Sequence, residues 1–437
     1  MNIAIAGYGV EGKTSYEYWA SQTDVEGGAP LHHVTIVNET PVDDAPADAA
    51  VITGDGAFSR LNGFDMVVRT AGLAPHKITT DGTVWSATNE FFKQCPAKII
   101  GVTGTKGKGT TSSIIAAMLE QTGKKVHLLG NIGIPALSLL PAIQPEDYVV
   151  FELSSYQLWD IQRSPQIAVV LLIEPDHLNV HTGMDDYVQA KAHIAQFQSE
   201  DDSVIYHPTN SYSAGIAAES PGRKVKYNTP EQGSVHVEDG QFVLDGEEIC
   251  PVDALQLIGQ HNVENACAAI TAVKQLPITN EQIAAGLQNF SGLPHRLEFV
   301  RELDGVEYYN DSFSSAPSAT VAAVRSFTKP EILILGGIDK GADFTELATA
   351  LQGANNIKEI FIIGEIRNKL AGVLRDNGVQ ANMTLLDTRT MPEIVATAKS
   401  AATSGDVIIL SPGCASFDMF RDFYDRGDQF REVVQGL

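Results

Sequence analysis

Short apolar runs alternate with helix-length amphipathic stretches along most of the chain. In its first part the runs fall at 3–6, 34–37 and 66–69, with a helix expected after Gly12 and another around 85–93. A second series predicts strands at 98–103, 126–129, 148–152 and 167–173, with helices over 110–122 and 184–198. A third predicts strands at 332–335, 359–363 and 407–410 and helices over 343–352 and 391–403. Strands covered on both faces read as unbroken apolar runs, and their alternation with helices predicts βαβ units and parallel sheets. The stretch 200–255 is polar and turn-rich and reads as a small β excursion. A helix over 261–275 closes the middle region, and Ser291-Gly292-Leu293-Pro294 reads as a linker. The expected fold class is therefore α/β in three domains, 1–94, 95–293 and 294–437.

The 437 residues carry 30 Lys and Arg against 54 Asp and Glu, a formal charge of −24. So acidic a chain is not expected to bind nucleic acid or an anionic membrane, because both demand a basic face. A nucleotide ligand stays possible, since surface charge is screened and a local nest of amides with one Lys governs a cleft. The longest apolar run, 167–173, falls far short of the ~20 residues that cross a bilayer. The opening Asn2-Ile3-Ala4-Ile5-Ala6 carries no basic or long apolar leader pattern. Cys95, Cys250, Cys267 and Cys414 show no metal or disulfide spacing. A cytoplasmic protein with reduced, structural thiols is expected.

Two glycine-rich turns each follow a strand and open a helix. Gly7-Tyr8-Gly9-Val10-Glu11-Gly12 suits a dinucleotide-type turn, with Asn38 or Glu39 placed to meet a ribose or base. Alone it fits a nicotinamide, another nucleotide such as a nucleoside-diphosphate sugar, or no ligand. The second turn runs from Gly101 through Gly104-Thr105-Lys106-Gly107-Lys108-Gly109-Thr110-Thr111. Its amides can wrap a triphosphate, with the Lys108 ammonium on the β and γ phosphates. Gly109 stands where a P-loop has Ser or Thr, so a Mg²⁺-holding hydroxyl would be that of Thr110 or, failing that, Thr111. Glu152 ends a buried strand, where a carboxylate can hold Mg²⁺ beside phosphates. The next strand runs into Glu174-Pro175-Asp176-His177, which makes His177 a second candidate. Lys191, taken by itself, reads as an ordinary surface lysine.

Together with Gly130-Asn131-Ile132-Gly133, Glu152-Leu153-Ser154-Ser155-Tyr156-Gln157, Asp176-His177-Leu178, Gly259-Gln260-His261-Asn262, Leu293-Pro294-His295-Arg296, Asn310-Asp311-Ser312 and Leu410-Ser411-Pro412-Gly413-Cys414-Ala415-Ser416-Phe417-Asp418, the loop resembles the Mur ligases. The resemblance spans all three expected domains, and the last segment with Glu-Leu-Ser-Ser-Tyr-Gln points to the glutamate-adding branch. It implies a Rossmann-like UDP-binding domain, a central P-loop ATPase domain and a Rossmann-like glutamate-binding domain. It implies too that ATP and Mg²⁺ are used to join glutamate to UDP-N-acetylmuramoyl-L-alanine through an acyl phosphate, by a monomer whose partners are these small molecules.

Carried over by position, Lys108 and the 104–111 loop match the ATP loop, and Asn265, Arg296 and Asp311 match residues around the nucleotide. Glu152 and His177 match metal ligands, and Lys191 the lysine that these enzymes carbamylate to a carboxylate that helps organise a metal. Gly7, Gly9, Gly12, Gly72 and Asn131 match the UDP-sugar side. Ser315, Lys340, Ser416 and Phe423 match the glutamate pocket. Two positions depart from the pattern. Gly109 resembles folylpolyglutamate synthases, and Phe313 stands where D-glutamate-adding members carry a lysine, which leaves a folylpolyglutamate synthase-like ligase and an L-glutamate ligase as the alternatives. A nicotinamide dehydrogenase would leave the P-loop without a use. A non-catalytic binder would have no need of Lys108, Glu152, His177 and Lys191 together.

Overall fold

The computed structural model describes residues 1–24, 29–130, 134–388 and 390–437. Three parallel-rich sheets follow one another along the chain. The first has the order Ala50–Thr53, His33–Asn38, Asn2–Ala6, Met66–Arg69, Thr83–Ser86, all parallel. The second is ordered Arg223–Lys226, Ser203–Tyr206, Ile167–Val170, Lys98–Thr103, Tyr148–Glu152, Val126–Gly130, again all parallel. Chain order reverses about Lys98–Thr103, so the crevice of this sheet opens at the carboxyl end of that strand. The third sheet is ordered Glu298–Leu303, Val306–Asn310, Val407–Leu410, Glu331–Gly336, Ile357–Ile363, Asn382–Leu385, with its first pair antiparallel. The polar excursion contains the antiparallel strands Val235–Glu238, Gln241–Leu244 and Glu247–Pro251.

The chain forms two compact units, Met1–Leu255 with Glu264–Phe290, and Gln256–Val263 with Ser291–Leu437. Within the first unit, side chains of the first and second sheets share one apolar cluster, in which the Phe91 ring stacks on Phe151 at 5.5 Å. Arg69, at the end of Met66–Arg69 and fully buried, reaches across to Asp160 with two hydrogen bonds of 2.8 and 2.7 Å. Its remaining N–H groups go to the carbonyls of Leu73 and Tyr156, so the buried guanidinium is both paired and bonded.

Met66–Arg69, Tyr148–Glu152 and Val407–Leu410 lie where their apolar runs place them. Others differ for local reasons. Trp85 belongs to the strand Thr83–Ser86, and the helix begins only at Ala87, where the Ser86 hydroxyl accepts the Asn89 amide. The run 167–173 leaves the ladder after Val170, because the glycine-rich loop crosses it and the Thr105 amide takes the Leu172 carbonyl. All four cysteines are free thiols, three buried and Cys95 half-buried. No helix among the described residues is long and apolar enough to cross a membrane.

Candidate active site

The central strand Lys98–Thr103 delivers the chain to the glycine-rich loop, and the helix Lys108–Glu120 leaves it. Two glycines are forced by space. Gly104 has φ +153°, and a Cβ there would sit 2.7 Å from the Leu171 Cβ. Gly107 has φ +83°, and its Cβ would fall 2.4 Å from Asn265 Oδ1. Asn265 thus lies against the loop, where it also accepts from the Thr111 hydroxyl at 3.3 Å. Thr105 is pinned to both backbone groups of Glu174 and lies 3.0 Å from the Tyr187 hydroxyl. Lys106 is exposed, 3.6 Å from Glu174, and Thr110 is buried in the first helical turn.

Lys108 Nζ curls back over the loop and donates to the carbonyls of Gly104 (3.1 Å) and Thr105 (3.0 Å). Lys191, on the helix Met184–Gln196, is the residue whose isolated reading the structure overturns. It is 1% exposed, and its Nζ donates to Thr103 Oγ1 at 3.2 Å and to the same Gly104 carbonyl at 3.0 Å. Burial pushes its pKa well down and the Lys108 cation pushes it further, against the carboxylates of Asp176 and Glu152. These four groups therefore share one electrostatic neighbourhood. Glu152 is buried at its strand end, in register with Val102 and Gly130. His177 is half-exposed at φ +55°, its ring 5.1 Å from Tyr156 and 3.5 Å from the Asp176 carboxylate.

Thr110 and Glu152 are oxygen donors, the kind that Mg²⁺ prefers. Among the described residues no group of three or more His, Cys, Asp or Glu is gathered to hold a metal. That donor set fits a Mg²⁺ carried largely by substrate phosphates and water, and not a closed protein cage.

In the first sheet, Gly12 passes so close to Gly7 that a Cβ would lie 2.1 Å from the Gly7 carbonyl oxygen. Gly9 and Gly72 face open space. Beside this turn is an open cleft of about 460 Å³ lined by Tyr8, Gly9, Asn38, Thr40, Asp43 and Asp44 among others, and Lys13 pairs with Asp44 at its rim. Glu11 escaped sequence reasoning: its carboxylate accepts the Ala71 amide at 2.6 Å and ties the turn to the loop that holds Gly72. Asn131 lies outside the described residues.

In the second unit, the Arg296 guanidinium stacks 4.3 Å over the Phe313 ring, which meets Phe423 edge-on at 5.1 Å. Asp311 is buried with both oxygens engaged, by the hydroxyls of Ser314 and Ser411 at 2.6 Å and by the Leu297 amide at 3.1 Å. Burial pushes its pKa up to about 6 against those bonds and the Arg296 charge. Lys340 Nζ lies 4.6 Å over the exposed Phe417 ring, Ser416 is buried, and Ser315 is exposed. Phe423 opens the helix Phe423–Gln435, and its carbonyl accepts from the Ser312 hydroxyl. Arg426 in the same helix was also missed: fully buried, it donates to the Ser312 hydroxyl and to the carbonyls of Ser312 and Cys414.

Residues 102–273 match the Mur ligase middle domain, and residues 295–414 match the Mur ligase glutamate ligase domain. The UDP-N-acetylmuramoylalanine–D-glutamate ligase of Acetivibrio thermocellus is 39% identical over 400 residues, covering 88% of this chain and 85% of the relative. That of Clostridium acetobutylicum is 38% identical over 398 residues, with the same coverage. Among solved structures, MurF from Acinetobacter baumannii superposes with a TM-score of 0.63 at 17% identity, over 92% of this chain and 85% of that one. MurC from Thermotoga maritima gives 0.61 at 15% identity, over 100% and 99%. At such identities the structures speak for the α/β fold. With two family domains matched in order, and relatives at 38% and 39% identity over 88% of its length, the chain belongs to the Mur ligases.

Proposed function

We propose that this protein joins D-glutamate to UDP-N-acetylmuramoyl-L-alanine, driven by cleavage of ATP to ADP and phosphate. The observation that carries the reading is the meeting of Lys108 and Lys191 on the Gly104 carbonyl, with Glu152 and Asp176 in their field. The 104–111 loop offers backbone amides to the triphosphate, and Lys108 exchanges its two carbonyl partners for phosphate oxygens when the nucleotide arrives. An alanyl carboxylate oxygen then bonds to the γ-phosphorus as the bond to the β-bridging oxygen breaks. The amine of glutamate attacks the resulting acyl phosphate, and phosphate leaves as the amide forms. Alignment and charge neutralisation are the protein's main contributions. Glu152, Thr110 and His177 would hold Mg²⁺, which would supply charge neutralisation on the phosphates.

Burial and the Lys108 charge favour the neutral amine of Lys191, the form that adds to CO₂ to give a carbamate with loss of a proton. Lys191 is assigned that modification, and the neighbouring Lys108 cation offsets the new negative charge. Asn265, Arg296 and Asp311 are assigned to the nucleotide. Gly7, Gly9, Gly12, Gly72 and Asn131 go to the UDP-sugar, and Ser315, Lys340, Ser416 and Phe423 to glutamate. Segments 1–94, 95–293 and 294–437 carry these three roles as domains, in a cytoplasmic monomer.

Relatives named for D-glutamate support that enantiomer, while Phe313 in place of a lysine favours L-glutamate as the second reading. Incubation with UDP-N-acetylmuramoyl-L-alanine, ATP and either enantiomer, followed by chiral analysis of the product, separates them. Product from D-glutamate alone is expected. Product from L-glutamate alone overturns the choice.

A further inference from the structure

Behind the strand end that carries Glu152 lies a side-chain cluster that the reaction above leaves unused. The His181 ring is buried, with Nε2 2.9 Å from Ser155 Oγ and Nδ1 3.2 Å from Asp186 Oδ2. A carboxylate only accepts, so Nδ1 carries the hydrogen and Nε2 accepts from the Ser155 hydroxyl. Asp186 also takes the Trp159 indole N–H at 2.9 Å and the Thr182 amide at 3.0 Å. Aromatic rings enclose the imidazole: Tyr156 nearly parallel at 5.6 Å, Trp159 at 4.2 Å and Tyr187 edge-on at 5.3 Å.

Serine, histidine and aspartate in this order resemble a hydrolase triad. That role does not suit Ser155, which is 2% exposed and has no access for a substrate. What the cluster does have is reach, because its members sit on three different segments. Ser155 opens the helix Ser155–Leu158, directly after the Glu152 strand end. His181 closes the loop that carries His177, and its amide donates to the His177 carbonyl at 3.0 Å. Asp186 stands in the first turn of the helix that carries Lys191, beside Tyr187, which touches Thr105 of the phosphate loop.

We propose that His181 is a positioning residue for the ligase reaction, fixing through Ser155 and Asp186 the mutual spacing of the Glu152 strand end, the His177 loop and the Lys191 helix. This rests on the ligase reading of the site. His181 touches no reacting atom. Its effect is on geometry, where a shift of about 1 Å can cost on the order of 100-fold in rate.

The test uses His181→Phe, which keeps a ring but loses both bonds, His181→Asn, which keeps a donor for Asp186, and Ser155→Ala, which cuts only the link to the Glu152 segment. Product formation and melting temperature are measured for each beside the wild-type protein. His181→Phe and Ser155→Ala are expected to lower kcat by about 10- to 100-fold while KM for ATP stays within about twofold, with His181→Asn between them and the wild type. Unchanged kcat per folded molecule in Ser155→Ala and His181→Phe overturns the proposal, as does a loss that merely tracks melting temperature. Wild-type protein that makes no product overturns the ligase reading itself and the proposal with it, an outcome distinct from active variants.

Discussion

The Gly104 carbonyl accepts hydrogen bonds from two lysines at once, Lys108 at 3.1 Å and Lys191 at 3.0 Å. Two ammonium groups on one oxygen repel, and the buried one is the less stable as a cation. Burial and Lys108 together explain why the Lys191 pKa is driven down while Lys108 stays at the mouth of the loop. On the proposed reading, Lys108 meets phosphate and Lys191 reacts as an amine.

Lys108→Ala removes the cation at the loop. Phosphate release dependent on both acceptor and glutamate is expected to fall by about 100- to 1,000-fold, the scale of losing a preorganised electrostatic contact. Turnover near the wild-type rate in a phosphate-release assay sinks the assignment.

For Lys191→Ala the expected outcome is a sharp loss of activity, partly restored by added short carboxylic acids that stand in for the missing carbamate. A mutant of near-normal activity, indifferent to acetate, would show that the buried amine has no part in the reaction.

Phe313→Leu takes away the ring beneath Arg296. A cation–π contact at an exposed site is worth about 0.5–1 kcal/mol, so KM for ATP is expected to rise about 2- to 5-fold, with Phe313→Trp close to the wild type. Identical KM values in the Leu and Trp variants would disconnect the ring from the nucleotide.

Glu331 is fully buried at the start of the strand Glu331–Gly336, bonded by Asn356, and burial pushes its pKa up to about 8 from an ordinary 4.5. Between those values the folded chain keeps a proton that the unfolded chain has shed. Stability therefore falls as pH rises through that window, by up to about 1.4 kcal/mol per unit. Glu331→Gln removes the titration, so its advantage in melting temperature is expected to widen from about pH 5 to about pH 8. A constant gap contradicts the assignment.

Strands such as Tyr148–Glu152 were legible because both faces are covered and every residue is apolar up to Glu152. Ala50–Thr53 was not, since all four residues are exposed at a sheet edge and carry little core pattern. The strand Glu298–Leu303, first of a hairpin with Val306–Asn310, was hidden for a similar reason, with charged residues along a half-buried edge strand. Motif residues of the candidate site could be named from local sequence, whereas what surrounds them could not. Burial of Lys191 comes from its place on the buried face of a mixed helix, beneath the glycine-rich loop. Similarly, the bonds of His181 join segments that no spacing rule connects, and Asp311 gives no local sign that two serines and an amide enclose it.

The central claim is that a carboxylate is phosphorylated before the amide forms. UDP-N-acetylmuramoyl-L-alanine labelled with oxygen-18 in its alanyl carboxylate tests this most directly, by mass analysis of the phosphate released with glutamate and ATP. Transfer of a labelled oxygen into that phosphate is the predicted result, and unlabelled phosphate accompanying full amide formation would contradict the account.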